Sequence, residues 1–140
     1  MVAKSAITIY TVGVLRDVGG RAVVAVDGGM SDNPRPLLYD SGYETFLTEG
    51  IEDKRPVPVR LVGSHCESGD TIVSEGFLQR RPERGDLIAT PVTGAYGYSM
   101  ASNYNRMRRP AVVYVSSGTA RLGIARESFE DLRRNDTYFS

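Results

Sequence analysis

Short runs of β-branched and aromatic residues, separated by glycine, proline and other turn-forming residues, recur along most of the chain. The first run, Ala6–Val18, has the composition of a β-strand, and apolar side chains alternate onto both of its faces, which predicts that both faces are covered. Gly19-Gly20 can adopt the positive φ angles of a two-residue hairpin turn. The segment Arg21–Asp27 is therefore predicted to return as a second, antiparallel strand.

The rest of the chain continues this pattern of short strands. Val57–Val62 predicts a strand in which Pro58, which lacks an N–H, marks either a sheet edge or the start of the strand. A second hairpin is predicted from Ala111–Val115 and Ala120–Ile124, with its turn at residues 116–119. Such closely spaced strands indicate a mainly β chain, folded as an antiparallel β-barrel or sandwich. Other strands are predicted at Tyr43–Leu47, Thr71–Val73, Gly76–Leu78 and Asp86–Thr90.

Short helices are predicted only towards the C-terminal end. Ser128 followed three positions later by Asp131 matches the pair that caps a helix N-terminus, which predicts a helix over Ser128–Asn135. A single helical turn is predicted within Ser99–Asn105.

Composition restricts the classes of function. A chain of 140 residues can bury one core, and its 17 basic and 17 acidic residues leave no net field to attract nucleic acid or an anionic membrane. No apolar run approaches the roughly 20 residues that span a bilayer, and the N-terminus lacks a signal-peptide pattern. A single cysteine cannot form an internal disulfide, which favours a reducing cytoplasm. The sequence has no histidine pair and no CxxC motif, so no metal site is predicted.

The loop His65–Asp70 holds the only histidine and the only cysteine of the chain. The neighbouring carboxylates favour the neutral form of the Cys66 thiol, which suits a proton donor better than a nucleophile. A self-contained thiol hydrolase is not favoured, because no second histidine is present. The alternative is that Cys66 is a small buried apolar residue without a chemical role.

Arg35 lies in the turn-forming stretch Ser31–Pro36, where a proline on each side is expected to hold it in an extended conformation. It could bind a carboxylate or phosphate through two parallel hydrogen bonds, or form a surface ion pair. Tyr39 and Tyr96 are either core aromatics or site residues, and the glycines flanking Tyr96 would let a ligand approach its backbone. The residues alone thus indicate a β-rich domain with a polar site.

Three segments, Val26–Pro36, His65–Asp70 and Gly94–Asn105, together closely resemble the C-terminal half of the diaminopimelate decarboxylase family. This family belongs to the alanine-racemase-like class of pyridoxal-phosphate enzymes. The resemblance covers nearly all of the chain and implies that residues 1–140 form a single C-terminal β-barrel domain. It also implies that the family's N-terminal (β/α)8 barrel, which binds pyridoxal phosphate, is absent from this chain.

The resemblance implies a reaction and a role for each candidate residue. The family removes the carboxylate at the D-centre of meso-diaminopimelate to give L-lysine, in an active site between the barrel of one subunit and the C-terminal domain of the other in a homodimer. Arg35 and Tyr39 are expected to hold the carboxylate end of the substrate, and Glu67 its distal ammonium group. Cys66 is the expected proton donor, and Tyr96 is expected to contact cofactor and substrate.

The chain departs from the family in its lysines. Only Lys4 and Lys54 are present, and neither lies in the motif of the cofactor-binding lysine, so this chain is expected neither to hold pyridoxal phosphate tightly nor to decarboxylate alone. One alternative is half of a related pyridoxal-phosphate-dependent decarboxylase of basic amino acids, although those usually carry Asp where Glu67 stands. Another is a non-catalytic, free-standing β-barrel that pairs with itself or regulates a full-length decarboxylase.

Overall fold

The computed structural model describes residues 1–139 and is built mainly of strands with a few short helices. The helices are α1 (Arg35–Tyr39), α2 (Gly97–Met100) and α3 (Phe129–Arg133), with single 3-10 turns at Val2–Ser5, Tyr104–Arg106 and Thr137–Phe139. The strands are β1 (Ile7–Val18), β2 (Arg21–Val26), β3 (Phe46–Leu47), β4 (Val57–Val62), β5 (Thr71–Leu78), β6 (Leu87–Pro91), β7 (Val112–Ser116) and β8 (Thr119–Ile124).

The first hairpin confirms the sequence prediction. β1 and β2 pair antiparallel up to Val18 opposite Arg21, and the two glycines between them have φ angles of 58° and 79°. Only residues that tolerate positive φ can join two strands through so short a turn without splaying them.

Six strands form one sheet in the order β3-β6-β1-β2-β4-β5, antiparallel except for the parallel pair β2·β4. The sheet curls so that its two ends meet at Gln79, the residue after β5. The side-chain amide of Gln79 accepts a hydrogen bond from the Leu47 N–H of β3 (2.9 Å) and donates one to the Leu47 carbonyl (3.0 Å). The Gln79 amide thus forms the two hydrogen bonds that the backbone of a neighbouring strand would form with Leu47. The fold therefore belongs to the predicted barrel or sandwich class.

The core lies inside this curled sheet and is made of alternate residues of its strands. β2 shows the alternation most clearly, since Ala22, Val24 and Val26 are buried and the residues between them are partly exposed. Each strand thereby presents one apolar face inward. The other buried apolar residues of this cluster are Tyr10, Val12, Leu47, Val59, Leu61, Ile72, Val73, Leu78 and Ile88.

The prediction that both faces of β1 are covered is wrong for this chain. Ile7 and Ile9 keep 53% and 52% of their surface exposed on the face opposite the core. Leu87 of β6 pairs with Thr11 of β1 on that same outer face and is also exposed. An apolar pattern on both faces of a strand does not show whether the second face is covered by the same chain or by another.

Several strand boundaries differ from prediction because pairing, rather than composition, sets them. Thr71–Val73 and Gly76–Leu78 belong to one continuous strand, β5, and the strand predicted at Tyr43–Leu47 shrinks to two residues. β4 lies between β2 and β5 and is not an edge strand, but Pro58 falls near its start, before pairing with β2 begins at Val59. Proline is tolerated there because no partner on β2 needs its N–H.

The structure confirms the two kinds of element predicted near the C-terminus, a β-hairpin and a short helix. β7 and β8 form a separate two-stranded sheet whose turn residues, Ser117 and Gly118, have φ angles of 49° and 75°. α3 begins after Ser128, whose hydroxyl accepts from the Asp131 N–H (3.1 Å) while the Asp131 carboxylate accepts from the Ser128 N–H (2.7 Å). No helix among residues 1–139 is long and apolar enough to span a bilayer.

Candidate functional site

Arg35 lies at the start of helix α1, so the extended conformation predicted for it is wrong. Pro34 adopts helical angles (φ −76°, ψ −5°) as the N-cap, and Pro36 occupies the first turn. Proline is compatible with this first turn because its missing N–H would have no partner inside the helix. The turn closes through the Leu38 N–H, which donates to the Pro34 carbonyl (3.0 Å).

The Arg35 guanidinium lies against two of the predicted site residues. Its central carbon is 5.3 Å from the centre of the Tyr39 ring and 5.8 Å from that of Tyr96, within the range of cation–π attraction. Tyr39 and Tyr96 are 60% and 67% exposed, which excludes the alternative that they are core aromatics.

A cleft of about 580 Å³ opens beside Arg35. The backbone is strained next to it, because Val92, which lines the cleft, and Tyr96 have φ angles of 65° and 62°. Residues with a Cβ rarely adopt this left-handed region, and such strain is concentrated at functional sites. The other lining residues are Ala3, Ser41, Gly42, Tyr43, Glu44, Pro91 and Ala95.

The loop between β4 and β5 presents two of the predicted residues to solvent. Cys66 is a free, exposed thiol, which excludes the alternative of a small buried apolar residue. Glu67 is also exposed, and its Oε1 accepts a hydrogen bond from the Tyr104 hydroxyl at 2.5 Å. This hydrogen bond to the carboxylate raises the pKa of Tyr104 above its ordinary value.

His65, in contrast, is buried and holds the loop in place. Its Nε2 lies 2.9 Å from the Ser31 hydroxyl, and its Nδ1 lies 3.4 Å from the side-chain nitrogen of Asn105. In the tautomer that accepts from the Asn105 amide at Nδ1, Nε2 carries the proton and donates to the Ser31 hydroxyl. The imidazole thus connects three segments and is not presented to solvent beside the thiol.

Asp70 is the residue that sequence reasoning missed most clearly. Its buried carboxylate accepts hydrogen bonds from the backbone N–H groups of Met30 and His65, both at 2.7 Å. A Cβ at Gly29 or Gly63 would collide with this carboxylate, so both positions require glycine. One carboxylate therefore fixes the Cys66 loop to the turn that leads into α1. The glycines of these turns were the only local signal.

The segment after the cleft carries Tyr104 and also departs from prediction. The helical turn expected at Ser99–Asn105 is replaced by α2 and by the 3-10 turn Tyr104–Arg106. Glu127 anchors this segment, since its carboxylate accepts from the Arg109 guanidinium (2.7 Å) and from the Asn103 amide (2.6 Å). The hydrogen bond from Arg109 is the main cause that lowers the pKa of Glu127 to about 2.

The structure brings the predicted residues to one end of the sheet in two neighbouring groups. Arg35, Tyr39 and Tyr96 form one group, and Cys66 and Glu67 belong to the other. The two are adjacent because Leu37 of α1 packs against Gly69 of the Cys66 loop, where a Cβ would lie only 2.7 Å from the leucine Cδ1. The segment 96–104 also links them, with Tyr96 in the first group and Tyr104 bound to Glu67.

The lysines do not fit a cofactor site formed by this chain alone. Lys4 and Lys54 are both exposed, Lys54 lies in the loop before β4, and the cleft beside Arg35 is lined by neither. A Schiff-base lysine needs a sheltered position where its ammonium group loses its proton readily. Tyr96, which the resemblance expects to contact cofactor and substrate, has an exposed ring beside Arg35.

The mainly β fold is that expected of the C-terminal sheet domain of a class of pyridoxal-dependent enzymes. Residues 2–94 match the family described as "Pyridoxal-dependent decarboxylase, C-terminal sheet domain", and the chain belongs to that family.

Among its relatives, the diaminopimelate decarboxylase of Mycobacterium tuberculosis H37Rv is 50% identical over 131 residues, which are 90% of this chain and 29% of that protein. The diaminopimelate decarboxylase of Bacillus subtilis 168 is 47% identical over 140 residues, covering 99% of this chain and 32% of that protein. The crystal structure of the Helicobacter pylori diaminopimelate decarboxylase complexed with L-lysine superposes with a TM-score of 0.85 at 34% identity, covering 98% of this chain and 33% of that one. This chain thus spans about a third of the length of the relatives that it matches.

Proposed function

We propose that this chain supplies the substrate-binding, C-terminal portion of a cytoplasmic decarboxylase that converts meso-diaminopimelate to L-lysine and carbon dioxide. The carrying observation is a pair of opposite charges at one end of the sheet. Within residues 1–139, neither Arg35 nor Glu67 forms an ion pair with another side chain, so both charges are available to a ligand. The names and identities of the relatives support the choice of substrate.

The distal end of meso-diaminopimelate carries a carboxylate and an ammonium group, and the proposal gives each a partner. Arg35 binds the carboxylate through its planar fork of N–H donors, beside the hydroxyl of Tyr39. Glu67 binds the ammonium group. The cation–π contacts with Tyr39 and Tyr96 support this role, because they restrict the guanidinium before any ligand arrives.

Cys66 supplies the proton in the proposed reaction. When bound, pyridoxal phosphate supplies an electron sink for decarboxylation. The exposed Cys66 Sγ–H then delivers its proton to the carbon that has lost carbon dioxide.

The rest of the enzyme is proposed to dock on the outer face of β1 and β6. Ile7, Ile9 and Leu87 expose apolar surface there, and exposed apolar patches of this kind mark association sites. The relatives are about three times as long as this chain, so their additional residues are numerous enough to form a domain that covers this face. In the proposal this partner is an N-terminal barrel that holds pyridoxal phosphate, and the assembled enzyme is a homodimer.

Complementation tests the proposal. The chain is mixed with a separately produced N-terminal barrel portion of a relative, pyridoxal phosphate is added, and release of carbon dioxide from meso-diaminopimelate is measured. Restored release is expected, with a large loss for both Cys66→Ala and Cys66→Ser, since an alcohol is a far weaker acid than a thiol. No release from two folded portions that associate would reject the proposal.

Two other functions remain testable in the same system. A decarboxylase of L-lysine or L-ornithine would prefer those substrates, which lack the distal carboxylate that Arg35 is proposed to bind. The exposed outer face of β1 also favours a second candidate, a non-catalytic domain that pairs with itself or regulates a full-length decarboxylase. Substrate preference tests the first of these functions. Sedimentation together with a pull-down of full-length enzyme tests the second, and a monomer that does not bind the enzyme would exclude it.

A further inference from the structure

Tyr104 holds one oxygen of the Glu67 carboxylate. Its hydroxyl donates to Glu67 Oε1 at 2.5 Å, a short distance typical of a hydrogen bond to an ionised acceptor. In the described part of the chain, Oε2 of the same carboxylate has no hydrogen-bond partner, so one oxygen is occupied and the other is free. The sequence pattern assigned no role to this tyrosine.

The Tyr104 ring is placed by the same loop that carries Glu67. The ring centre lies 5.5 Å from that of His65, at an interplanar angle of 45°. His65 is buried and fixed by Ser31 and Asp70, so the phenol lies beside a rigid part of the Cys66 loop. The Cys66 loop therefore positions both the Tyr104 hydroxyl and the Glu67 carboxylate that accepts its hydrogen bond.

The backbone on both sides of Tyr104 is also constrained. Asn105 and Arg106 have φ angles of 52° and 57°, two consecutive left-handed residues that are not glycine. Such a conformation persists only where surrounding contacts enforce it. On the other side, the Asn103 side chain donates to the Glu127 carboxylate (2.6 Å). These constraints leave Tyr104 little freedom to move away from Glu67.

We propose that Tyr104 is a positioning residue that determines substrate specificity by orienting Glu67. Its hydroxyl holds Oε1, which directs Oε2 towards the ammonium group of the substrate. A freely rotating, exposed glutamate would lose side-chain entropy on binding, whereas this one has already lost it. The identity of the substrate rests on the proposed function, but the hold of Tyr104 on Glu67 does not.

The test uses Tyr104→Phe, which removes the hydroxyl and keeps the ring against His65. The matched control is Tyr114→Phe, which removes a hydroxyl from the exposed β7–β8 hairpin. Both variants are compared with Glu67→Gln, which removes the charge of the acceptor.

The first measurement needs only this chain. Tyrosine labelled with ¹³C at Cζ is incorporated, the Tyr104 signal is assigned from its loss in Tyr104→Phe, and each phenol is titrated by NMR. The pKa of Tyr104 is expected above its ordinary value, and Glu67→Gln is expected to lower it. An unchanged titration in Glu67→Gln would overturn the proposal, whatever the function of the chain.

The second measurement uses the chain assembled with the barrel portion. Tyr104→Phe is expected to raise KM for meso-diaminopimelate about three- to tenfold and to leave kcat within about twofold, since the lost interaction acts on binding before and during the reaction alike. A purely structural role would lower thermal stability and kcat instead. An unchanged KM in an active assembly would overturn the proposal. If the wild-type assembly is inactive, the proposed function fails, and the titration alone decides whether Tyr104 holds Glu67.

Discussion

At the scale of residues, the site depends on buried groups that hold exposed ones. Cys66 and Glu67 are exposed, whereas their neighbours His65 and Asp70 are buried and bonded to the turn before α1. The sequence showed the density of polar groups in this loop, and it did not show which of them face inward. That division depends on contacts between residues about 40 positions apart, such as Asp70 with Met30.

Replacing Asp70 by Asn tests this anchor. An asparagine has one acceptor oxygen, so only one of the two backbone N–H groups can keep its partner. We expect the free energy of unfolding to fall by about 1–3 kcal/mol, the loss typical of a buried donor left unpaired. Urea unfolding measures it. Asp53→Asn, in the exposed loop before β4, is the control, and an equal effect of the two changes would contradict the anchoring role.

Glu127 gives a prediction about pH. Its pKa is about 2 in the folded chain, below the ordinary glutamate value of 4.5, so the carboxylate stabilises the fold fully above pH 4.5. This contribution is lost as the pH falls from about 4.5 through about 2. We expect Glu127→Gln to remove that part of the acid dependence, measured by thermal unfolding at a series of pH values. Identical acid profiles for the two chains would contradict it.

At the scale of elements, local signals were predictive and distant pairings were not. The glycine turn of the first hairpin and the capping pair of α3 are contained in a few neighbouring residues, and both predictions were confirmed. Helix α1 was missed because the prolines on either side of Arg35 were expected to hold the backbone in an extended conformation. The parallel pairing of β2 with β4 was missed because nothing in either strand specifies a partner so far away in the sequence.

Gln79 provides the prediction at this scale. Its side chain also donates to the carbonyls of Glu49 and Gly50, so it joins the end of β5 to β3 and the following turn. Gln79→Glu keeps the shape and removes these donors, which leaves several carbonyls facing a carboxylate. We expect it to lower the free energy of unfolding more than Gln79→Ala does. Equal stability of Gln79→Glu and the wild type would contradict the closing role.

At the scale of the whole molecule, the exposed outer face of β1 is the proposed docking surface for the rest of the enzyme. Ile7 and Ile9 expose about half of their surface on this face, and contiguous exposed apolar residues are typical of association sites. We expect Ile9→Lys to leave this chain folded and to weaken its association with the barrel portion at least tenfold, measured by sedimentation. Val115→Lys, on the exposed second hairpin, is the control. Equal association of the Ile9→Lys and wild-type chains would contradict docking at this face.

The central claim is that two opposite charges, Arg35 at the start of α1 and Glu67 in the Cys66 loop, bind the two groups at the far end of one substrate. The most direct measurement is kcat/KM of the assembled enzyme for meso-diaminopimelate and for D-lysine, which lacks the distal carboxylate, with wild type and Arg35→Ala. The account predicts a loss of about a hundredfold for meso-diaminopimelate, the effect expected when a substrate carboxylate loses its arginine partner in the assembled site, and little change for D-lysine. An equal loss for both substrates would contradict it.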